Sequence, residues 1–215
     1  MSVNLKKRIL SSTILCLIVF LIFYSNFFLI YSLLVFGSLV LLEFFNLIKR
    51  IISNKFLFLG VNTLFTIYLF LFCYMFFFFS NFTELKFINF VLLLGCVGSD
   101  IGGFVVGKIL KGPKLTKISP KKTISGAMGS FIFTSIIISG LFFYFTNKFN
   151  LNIIIISFIT SLACQMGDLF ISYLKRKSKL KDTGSIIPGH GGVLDRLDGI
   201  LFGVPLGFLS IILFY

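Results

Sequence analysis

Residues 56–80 read FLFLGVNTLFTIYLFLFCYMFFFFS and contain no charged side chain. A helix crosses the hydrocarbon core of a bilayer with about 20 apolar residues, so this stretch is long enough to span it and to tilt. The whole chain is 57% hydrophobic and 13% charged, whereas soluble domains are about 45–50% apolar and about 25% charged. Its mean hydropathy is +1.05. The sequence therefore predicts an integral membrane protein of the all-α class.

Further apolar stretches on both sides predict a polytopic transmembrane helical bundle of about seven spans. The predicted spans are 9–23, 27–48, 56–80, 87–109, 126–146, 151–173 and 199–215. The first follows Lys6-Lys7-Arg8 as in a signal peptide, but no small-residue cleavage site follows it, so we expect an anchor. Four cysteines are isolated in these spans, and we expect core filler without a disulfide or a zinc site. They are Cys16, Cys73, Cys96 and Cys164.

Basic residues predict the orientation of the spans. With the N-terminus inside, the inner segments hold 18 Lys and Arg, and the outer loops hold only Lys86 and Lys148. Because inner loops carry the excess of Lys and Arg, loops 108–125 and 174–198 are expected to face the cytoplasm. The net charge of +13 thus reflects topology and anionic headgroups, and we expect no nucleic-acid partner.

Acidic residues inside the predicted spans mark a functional site, since a carboxylate there costs about 2.5–3.5 kcal/mol. Asp100 and Asp168 lie inside spans, and Asp195 and Asp198 lie at the inner mouth of the last one. All four can meet at the cytoplasmic face and suit Mg²⁺, which prefers carboxylates, water and phosphate. The alternative is that each acid pairs with a lysine or arginine. For Glu43, a buried structural hydrogen bond is the better explanation.

Two polar loops suit phosphate. Residues 119–123, Ser-Pro-Lys-Lys-Thr, combine lysines and hydroxyls at a helix start, although a plain positive-inside signal would look alike. The basic run 175–181 has the same two explanations. His190 lies in a glycine-rich turn whose N–H groups can point at an anion. The glycines around Asp100 indicate either close helix packing or a backbone that approaches a ligand, and both remain open.

At these residues the chain resembles phosphatidate cytidylyltransferases, also called CDP-diacylglycerol synthases. The matching signature positions are Ser172, Lys175-Arg176, Lys181-Asp182, Gly184, Pro188-Gly189-His190-Gly191-Gly192 and Asp195-Arg196-Leu197-Asp198. Upstream, Ser99-Asp100, the Ser119–Thr123 box and Gly167-Asp168-Leu169 resemble further family segments. The family usually has glutamate where this chain has Ser125 and Ile171. The resemblance is detailed over 95–198 and general over 1–90. The chain is shorter than typical members, so we expect it to lack N-terminal spans.

The resemblance implies the reaction CTP + phosphatidate → CDP-diacylglycerol + pyrophosphate. The sequence shows no soluble domain, linker or internal repeat, so we expect a single membrane-embedded domain, with anchoring spans in 1–86 and catalytic spans and cytoplasmic loops in 87–215. The implied catalytic residues are Asp168, Asp195, Asp198, Lys175, Arg176 and Asp182. The implied phosphate-binding residues are Ser119, Lys121, Lys122, Thr123, His190, Gly191, Gly192 and Arg196. The implied Mg²⁺ ligands are Asp168, Asp195, Asp198 and Asp100.

Several properties remain open beside that reaction. A second, monovalent cation and a homodimer are both compatible with it. The expected partners are CTP, phosphatidate and membrane lipids, at a bacterial inner membrane with the active site facing the cytoplasm. One rival is an ion-coupled transporter, which explains Asp100 and Asp168 but not the loop that contains His190. Two others are another CTP-dependent lipid enzyme, such as a kinase that produces CDP, and an inactive relative altered at Ser125 and Ile171.

Overall fold

The chain is all-helical. The computed structural model describes residues 3–116, 118–147, 150–187 and 191–214, with side chains from residue 10 onward except that of residue 12. Over these ranges it forms seven helices and no strand. They are α1 (Val3–Tyr24), α2 (Asn26–Ile51), α3 (Lys55–Ser80), α4 (Thr83–Leu110), α5 (Ile124–Thr146), α6 (Asn152–Lys177) and α7 (Leu194–Phe214).

Six of these helices, α2 to α7, are long and apolar enough to cross a membrane. The apolar part of α1 is shorter and runs over Thr13–Tyr24. The predicted bundle of transmembrane helices is therefore confirmed as a class, whereas the number of seven spans and the inside position of the N-terminus stay predictions.

Two of the helix ends that differ from the predicted spans flank the loop between α6 and α7. Helix α6 continues into the basic run and ends at Lys177, and α7 begins at Leu194 rather than at residue 199. The prediction placed both ends too close to the apolar segment because it followed hydropathy, while backbone hydrogen bonding continues through charged residues. Asp195 and Asp198 consequently belong to the first turns of α7.

The chain divides into two compact units. Unit 1 comprises the chain up to Phe82 together with Leu174–Leu197, and unit 2 comprises Thr83–Tyr173 and residues from Asp198 onward. In unit 1, α2 and α3 pack through the stacked rings of Phe44 and Phe65, whose centroids are 3.7 Å apart. The expected single domain stays a prediction.

Glycines bring α4 and α5 of unit 2 into backbone contact. A Cβ added at Gly102 would lie 2.5 Å from the carbonyl oxygen of Gly129, and one added at Gly126 would lie 2.8 Å from that of Gly103. Hydroxyl groups bridge the same seam, because Ser130 Oγ donates to a carbonyl oxygen of α4 at 2.7 Å. Small residues with interhelical hydrogen bonds are typical of transmembrane packing. The glycines around Asp100 therefore serve helix packing.

A second small-residue seam lies on α7 in unit 2. Added Cβ atoms at Gly199 and Gly207 would lie 2.5 Å from Cys164 Sγ and Thr160 Oγ1 respectively, and one at Gly203 would overlap Cys96 Sγ. Cys96 and Cys164 are buried, so the expectation of core filler is confirmed for them. It is wrong for Cys16, which is exposed because it lies on a terminal helix with few neighbours. All four cysteines are free.

Candidate active site

Asp195 is the central acceptor of the signature loop in unit 1. Its Oδ1 accepts a hydrogen bond from Lys175 Nζ at 2.6 Å. Its Oδ2 accepts the backbone N–H groups of Thr183 at 2.8 Å and of Gly192 at 3.1 Å, and the Thr183 hydroxyl lies 3.0 Å away. The Asp195 side chain is only 6% exposed. Charge-assisted bonds of this kind are the stronger ones in proteins, so they tie the loop to the first turn of α7.

The glycine-rich turn closes next to this carboxylate. Gly191 has φ +85°, a left-handed conformation that only glycine adopts without strain. Its carbonyl accepts the N–H of Ile187 at 2.9 Å. His190 and its two predecessors in the signature lie outside the described residues, so the predicted role of His190 is not addressed. Gly192 does direct its N–H at an anion, as predicted for the turn, and that anion is Asp195; phosphate binding by Gly191 and Gly192 stays a prediction.

Glu43 reaches the same loop from α2. It is 3% exposed, and it accepts hydrogen bonds from Thr183 Oγ1 at 2.7 Å and from the N–H groups of Val193 and Leu194, both at 2.9 Å. The predicted buried hydrogen bond is thus confirmed. Its position against the loop could not be predicted, because Glu43 is separated from Thr183 by 140 residues.

Three further charged residues of the predicted site belong to unit 1. Arg176, Asp182 and Arg196 are exposed. Asp182 lies against the turn, since a Cβ added at Gly191 would be 3.4 Å from the Asp182 Cβ. Exposed guanidinium groups are suited to binding phosphate bidentately from solvent. The roles predicted for these three residues stay predictions.

Asp168 in unit 2 pairs with a lysine, as Asp195 does in unit 1. It makes an ion pair with Lys122, and the two side chains are 29% and 27% exposed. Ser172 Oγ lies 3.4 Å from its Oδ1. Lys122 is held by a turn in which its N–H donates to the Ser119 carbonyl at 3.0 Å. The structure therefore brings together the Ser-Pro-Lys-Lys-Thr box and the Gly-Asp-Leu step, two of the segments that carry the family resemblance.

Hydroxyl groups order the loop that carries Lys122. Thr123 caps α5 by accepting the N–H of Gly126 at 3.1 Å. Ser125 Oγ accepts the N–H of Gly112 at 3.1 Å and lies 3.0 Å from Thr123 Oγ1. Ser125, which stands where the resembled family has glutamate, thus joins the two ends of the loop. Ile171 stands at the other departure and is fully buried, with 0% exposure.

Asp100 and Asp198 are the other two aspartates of unit 2. Asp198 is 6% exposed, and its Oδ1 accepts the N–H of Gly199 at 2.9 Å. A Cβ added at Gly167, the residue before Asp168, would overlap the Asp198 carbonyl, so α6 and α7 touch there. Asp100 Oδ1 lies 3.9 Å from Cys164 Sγ.

These contacts test whether a magnesium ion fits. Among the described residues there is no group of three or more His, Cys, Asp or Glu side chains that could hold a metal ion. Mg²⁺, however, usually takes only one or two carboxylates and completes its shell with water and substrate phosphate. Asp168 and Asp198 belong to helices that touch beside them at Gly167, so two carboxylates are available there, as many as such an ion usually takes. Binding of Mg²⁺ stays a prediction. The larger ligand set that includes Asp195 and Asp100 stays a prediction.

Comparison with known proteins relates this geometry to a family. Residues 51–214 match the family model described as the cytidylyltransferase family. The chain belongs to this family. The match confirms the resemblance that the signature residues indicated.

Three curated relatives carry the name phosphatidate cytidylyltransferase. The one from Rickettsia felis is 45% identical over 140 residues, which cover 57% of this chain and 59% of the relative. The one from Helicobacter pylori is 42% identical over 131 residues, or 57% of this chain and 46% of the relative. The one from Staphylococcus aureus is 40% identical over 137 residues, or 62% and 52%. The chain thus matches about half of the length of these relatives.

Proposed function

We propose that this protein transfers the cytidylyl group of CTP to phosphatidate and releases pyrophosphate. The observation that carries the proposal is the ion pair of Lys122 with Asp168, which joins two family segments into one site with a cation and a carboxylate side by side. The curated relatives are named for phosphatidate cytidylyltransferase activity. A transporter would need the acids but not the loop ordered around Asp195.

The reaction requires positioning more than covalent chemistry. A phosphate oxygen of phosphatidate attacks the α-phosphorus of CTP, the bond to the bridging oxygen breaks, and pyrophosphate leaves. Catalysis of such transfers rests on orientation and on neutralisation of phosphate charge. The attacking phosphate is already an anion, so the site needs no strong general base. Lysine and arginine side chains are the groups that must hold the substrates.

Lys122 and Lys175 are prepared for that task by their present partners. Each lysine forms an ion pair with an aspartate, Asp168 and Asp195 respectively. A nucleotide phosphate offers Lys122 the same kind of anionic oxygen, so binding exchanges its partly exposed contact with Asp168 for another charge-assisted contact. Lys175 is more buried and keeps Asp195, and its remaining hydrogens are available to a phosphate. Arg176 and Arg196 are exposed and would add contacts to the outer phosphates. A bound Mg²⁺, held by Asp168 and Asp198, would neutralise charge on the phosphates.

A labelling experiment separates this activity from its rivals. Purified protein would be incubated with CTP labelled at the α-phosphate and with phosphatidate in mixed micelles, with and without Mg²⁺. We expect labelled CDP-diacylglycerol and unlabelled pyrophosphate, and no product without Mg²⁺. Release of CDP together with a phosphorylated lipid would identify a kinase instead. Absence of any nucleotide turnover would reject both enzymes.

We also propose that both polar loops face the cytoplasm of a bacterial inner membrane. The asymmetry of 18 against 2 basic residues supports this orientation, and the named relatives are bacterial. Engineered cysteines at Asn81 and Asn147 should react with an impermeant reagent added outside, whereas cysteines at Lys114 and Lys179 should not. Labelling of position 179 from outside would overturn the orientation. We propose in addition that the protein uses a monovalent ion, forms a homodimer and does not bind nucleic acid.

A further inference from the structure

Glu43 is a buried carboxylate that the reaction as described does not use. It lies outside residues 51–214, the segment that matches the family model. Yet the three hydrogen bonds that its carboxylate accepts from the described residues come from the signature loop and from the start of α7. Burial of a carboxylate that is only 3% exposed costs free energy unless hydrogen bonds compensate for the lost contact with water. A residue outside the matched segment thus holds part of the signature.

The start of α7 lacks a cap of its own. The Val193 carbonyl accepts the N–H groups of Arg196 at 3.0 Å and of Leu197 at 3.2 Å, which makes Val193 the N-cap residue. A valine side chain cannot accept the unpaired N–H groups of a helix start. Glu43 accepts the N–H groups of Val193 and Leu194 instead. Its negative charge also suits the positive end of the helix dipole.

Thr183 connects Glu43 to Asp195. The Thr183 hydroxyl lies 2.7 Å from Glu43 Oε2 and 3.0 Å from Asp195 Oδ2, while the Thr183 N–H donates to Asp195 Oδ2 at 2.8 Å. A hydroxyl group has only one hydrogen to donate. The acceptor on Glu43 therefore controls which way this hydroxyl points and how Thr183 contacts Asp195.

Two signature glycines make room for the same carboxylate. A Cβ added at Gly184 would lie 2.5 Å from Glu43 Oε1 and 3.0 Å from its Cδ, and its three nearest atoms all belong to Glu43. A Cβ added at Gly192 would overlap Glu43 Oε2 and Thr183 Oγ1. The small residues in the signature are thus explained by a side chain that lies outside it.

We propose that Glu43 is a positioning residue for nucleotidyl transfer, which fixes Asp195 through Thr183 and through the first turn of α7. This inference rests on the proposed function. Without Glu43, the Thr183 hydroxyl loses one acceptor, and the N–H groups of Val193 and Leu194 at the start of α7 lose theirs. Asp195 then samples several positions, and misplacement of a reacting group lowers the rate of the chemical step.

The test is a double-mutant cycle between Glu43 and Gly184. The variants are Glu43→Gln, Glu43→Asp, Gly184→Ala and Gly184→Ala combined with Glu43→Asp. Each is measured for kcat and KM with CTP and phosphatidate, and for its thermal unfolding midpoint in detergent. Gly60→Ala is the matched glycine control, because nothing lies within 4 Å of a Cβ added there. Glu84→Gln is the carboxylate control, since Glu84 is exposed.

We expect Glu43→Gln to lower kcat by about tenfold or more with little change in KM for CTP, as loss of an interaction that matters in the transition state does. Gly184→Ala should lose activity to a similar extent, and shortening Glu43 to Asp in the same chain should restore part of it. Such rescue is a coupling that independent sites do not show. The two controls should keep wild-type kcat.

The failures of the two proposals can be told apart. If wild-type protein makes no CDP-diacylglycerol, the proposed function fails and this inference fails with it. If wild type is active and folded Glu43→Gln keeps its kcat, only the positioning role is rejected. Unfolding midpoints that fall while kcat per folded molecule stays constant would assign Glu43 a structural role alone. Additive effects of Gly184→Ala and Glu43→Asp on kcat would likewise overturn the proposal.

Discussion

The two aspartate–lysine pairs of this protein differ in how firmly each is held. In unit 1, Asp195 and Lys175 have side chains 6% and 12% exposed, and two backbone N–H groups and the Thr183 hydroxyl surround the carboxylate besides the lysine. In unit 2, Asp168 and Lys122 are 29% and 27% exposed, and among the described residues the Ser172 hydroxyl is the one further group that joins them. Buried pairs are costly to break, whereas exposed pairs contribute little to stability. Asp195 thus organises the fold of its loop, and Asp168 is available to exchange partners.

Among the variants that test this difference, Asp195→Asn should have the largest effect on turnover and on stability. In one orientation the new amide group faces Lys175, and in the other it faces the N–H groups of Thr183 and Gly192, so some buried donor always loses its acceptor. Breaking a buried pair costs up to about 3–5 kcal/mol. We expect loss of turnover together with a clearly lower unfolding midpoint in detergent.

The control for Asp195→Asn is Glu84→Gln, which removes an exposed carboxylate from the first turn of α4. It should leave the unfolding midpoint close to that of wild type. An Asp195→Asn protein that unfolds like wild type would show that the four donors do not depend on the charge. The distinction between a firmly held and an exchangeable pair would then fail.

Asp168→Asn should separate activity from stability. The pair with Lys122 is about a third exposed, so its loss should cost at most about 1 kcal/mol of unfolding free energy. Turnover should fall by tenfold or more at every substrate concentration, since the charge is needed most in the transition state. Raised Mg²⁺ should partly restore Asp168→Glu but not Asp168→Asn. Near-normal product formation by folded Asp168→Asn would remove this residue from the site.

The sequence predicted the fold well because hydropathy alone determines which segments must be helical in a bilayer. It placed α3 within a residue of both ends, at 56–80 against Lys55–Ser80. It failed where helices continue into charged sequence, as at Lys177 and Leu194. Backbone hydrogen bonds, which hydropathy does not register, determine those ends.

The sequence named candidate residues of the site but not their contacts. The spacing of family-like segments singled out Asp168 and Asp195, and their catalytic role stays a prediction. The sequence could not show that Lys122 pairs with Asp168, because tertiary packing brings the loop before α5 against α6. Nor could it connect Glu43 to Thr183, which hydrogen-bond across 140 residues of sequence. The sequence pattern proposes candidate residues, whereas packing decides what each one contacts.

Ser125→Ala should have the smallest effect and tests how loosely the exchangeable pair is supported. Ser125 Oγ accepts the N–H of Gly112 and contacts Thr123 Oγ1. Removal of one hydrogen-bond partner costs about 0.5–1.5 kcal/mol, and the half-buried position lets water take over part of the loss. Thr123 still caps α5 through Gly126, so Lys122 keeps its turn.

We therefore expect Ser125→Ala to lower the unfolding midpoint slightly and to leave kcat within about twofold of wild type, a change below 1 kcal/mol in barrier. Ser125→Val is the companion variant. Its branched side chain cannot accept the N–H of Gly112. It is also bulkier at a place where Gly112 lies close, since a Cβ added at Gly112 would be 2.9 Å from Ser125 Oγ. It should displace the loop, raise KM for CTP and leave the unfolding midpoint only modestly lower.

If Ser125→Ala alone abolished turnover, the Lys122 loop would be held as firmly as the Asp195 loop. The contrast between the two pairs would then have to be abandoned, since exposure of the ion pair would no longer indicate freedom to exchange.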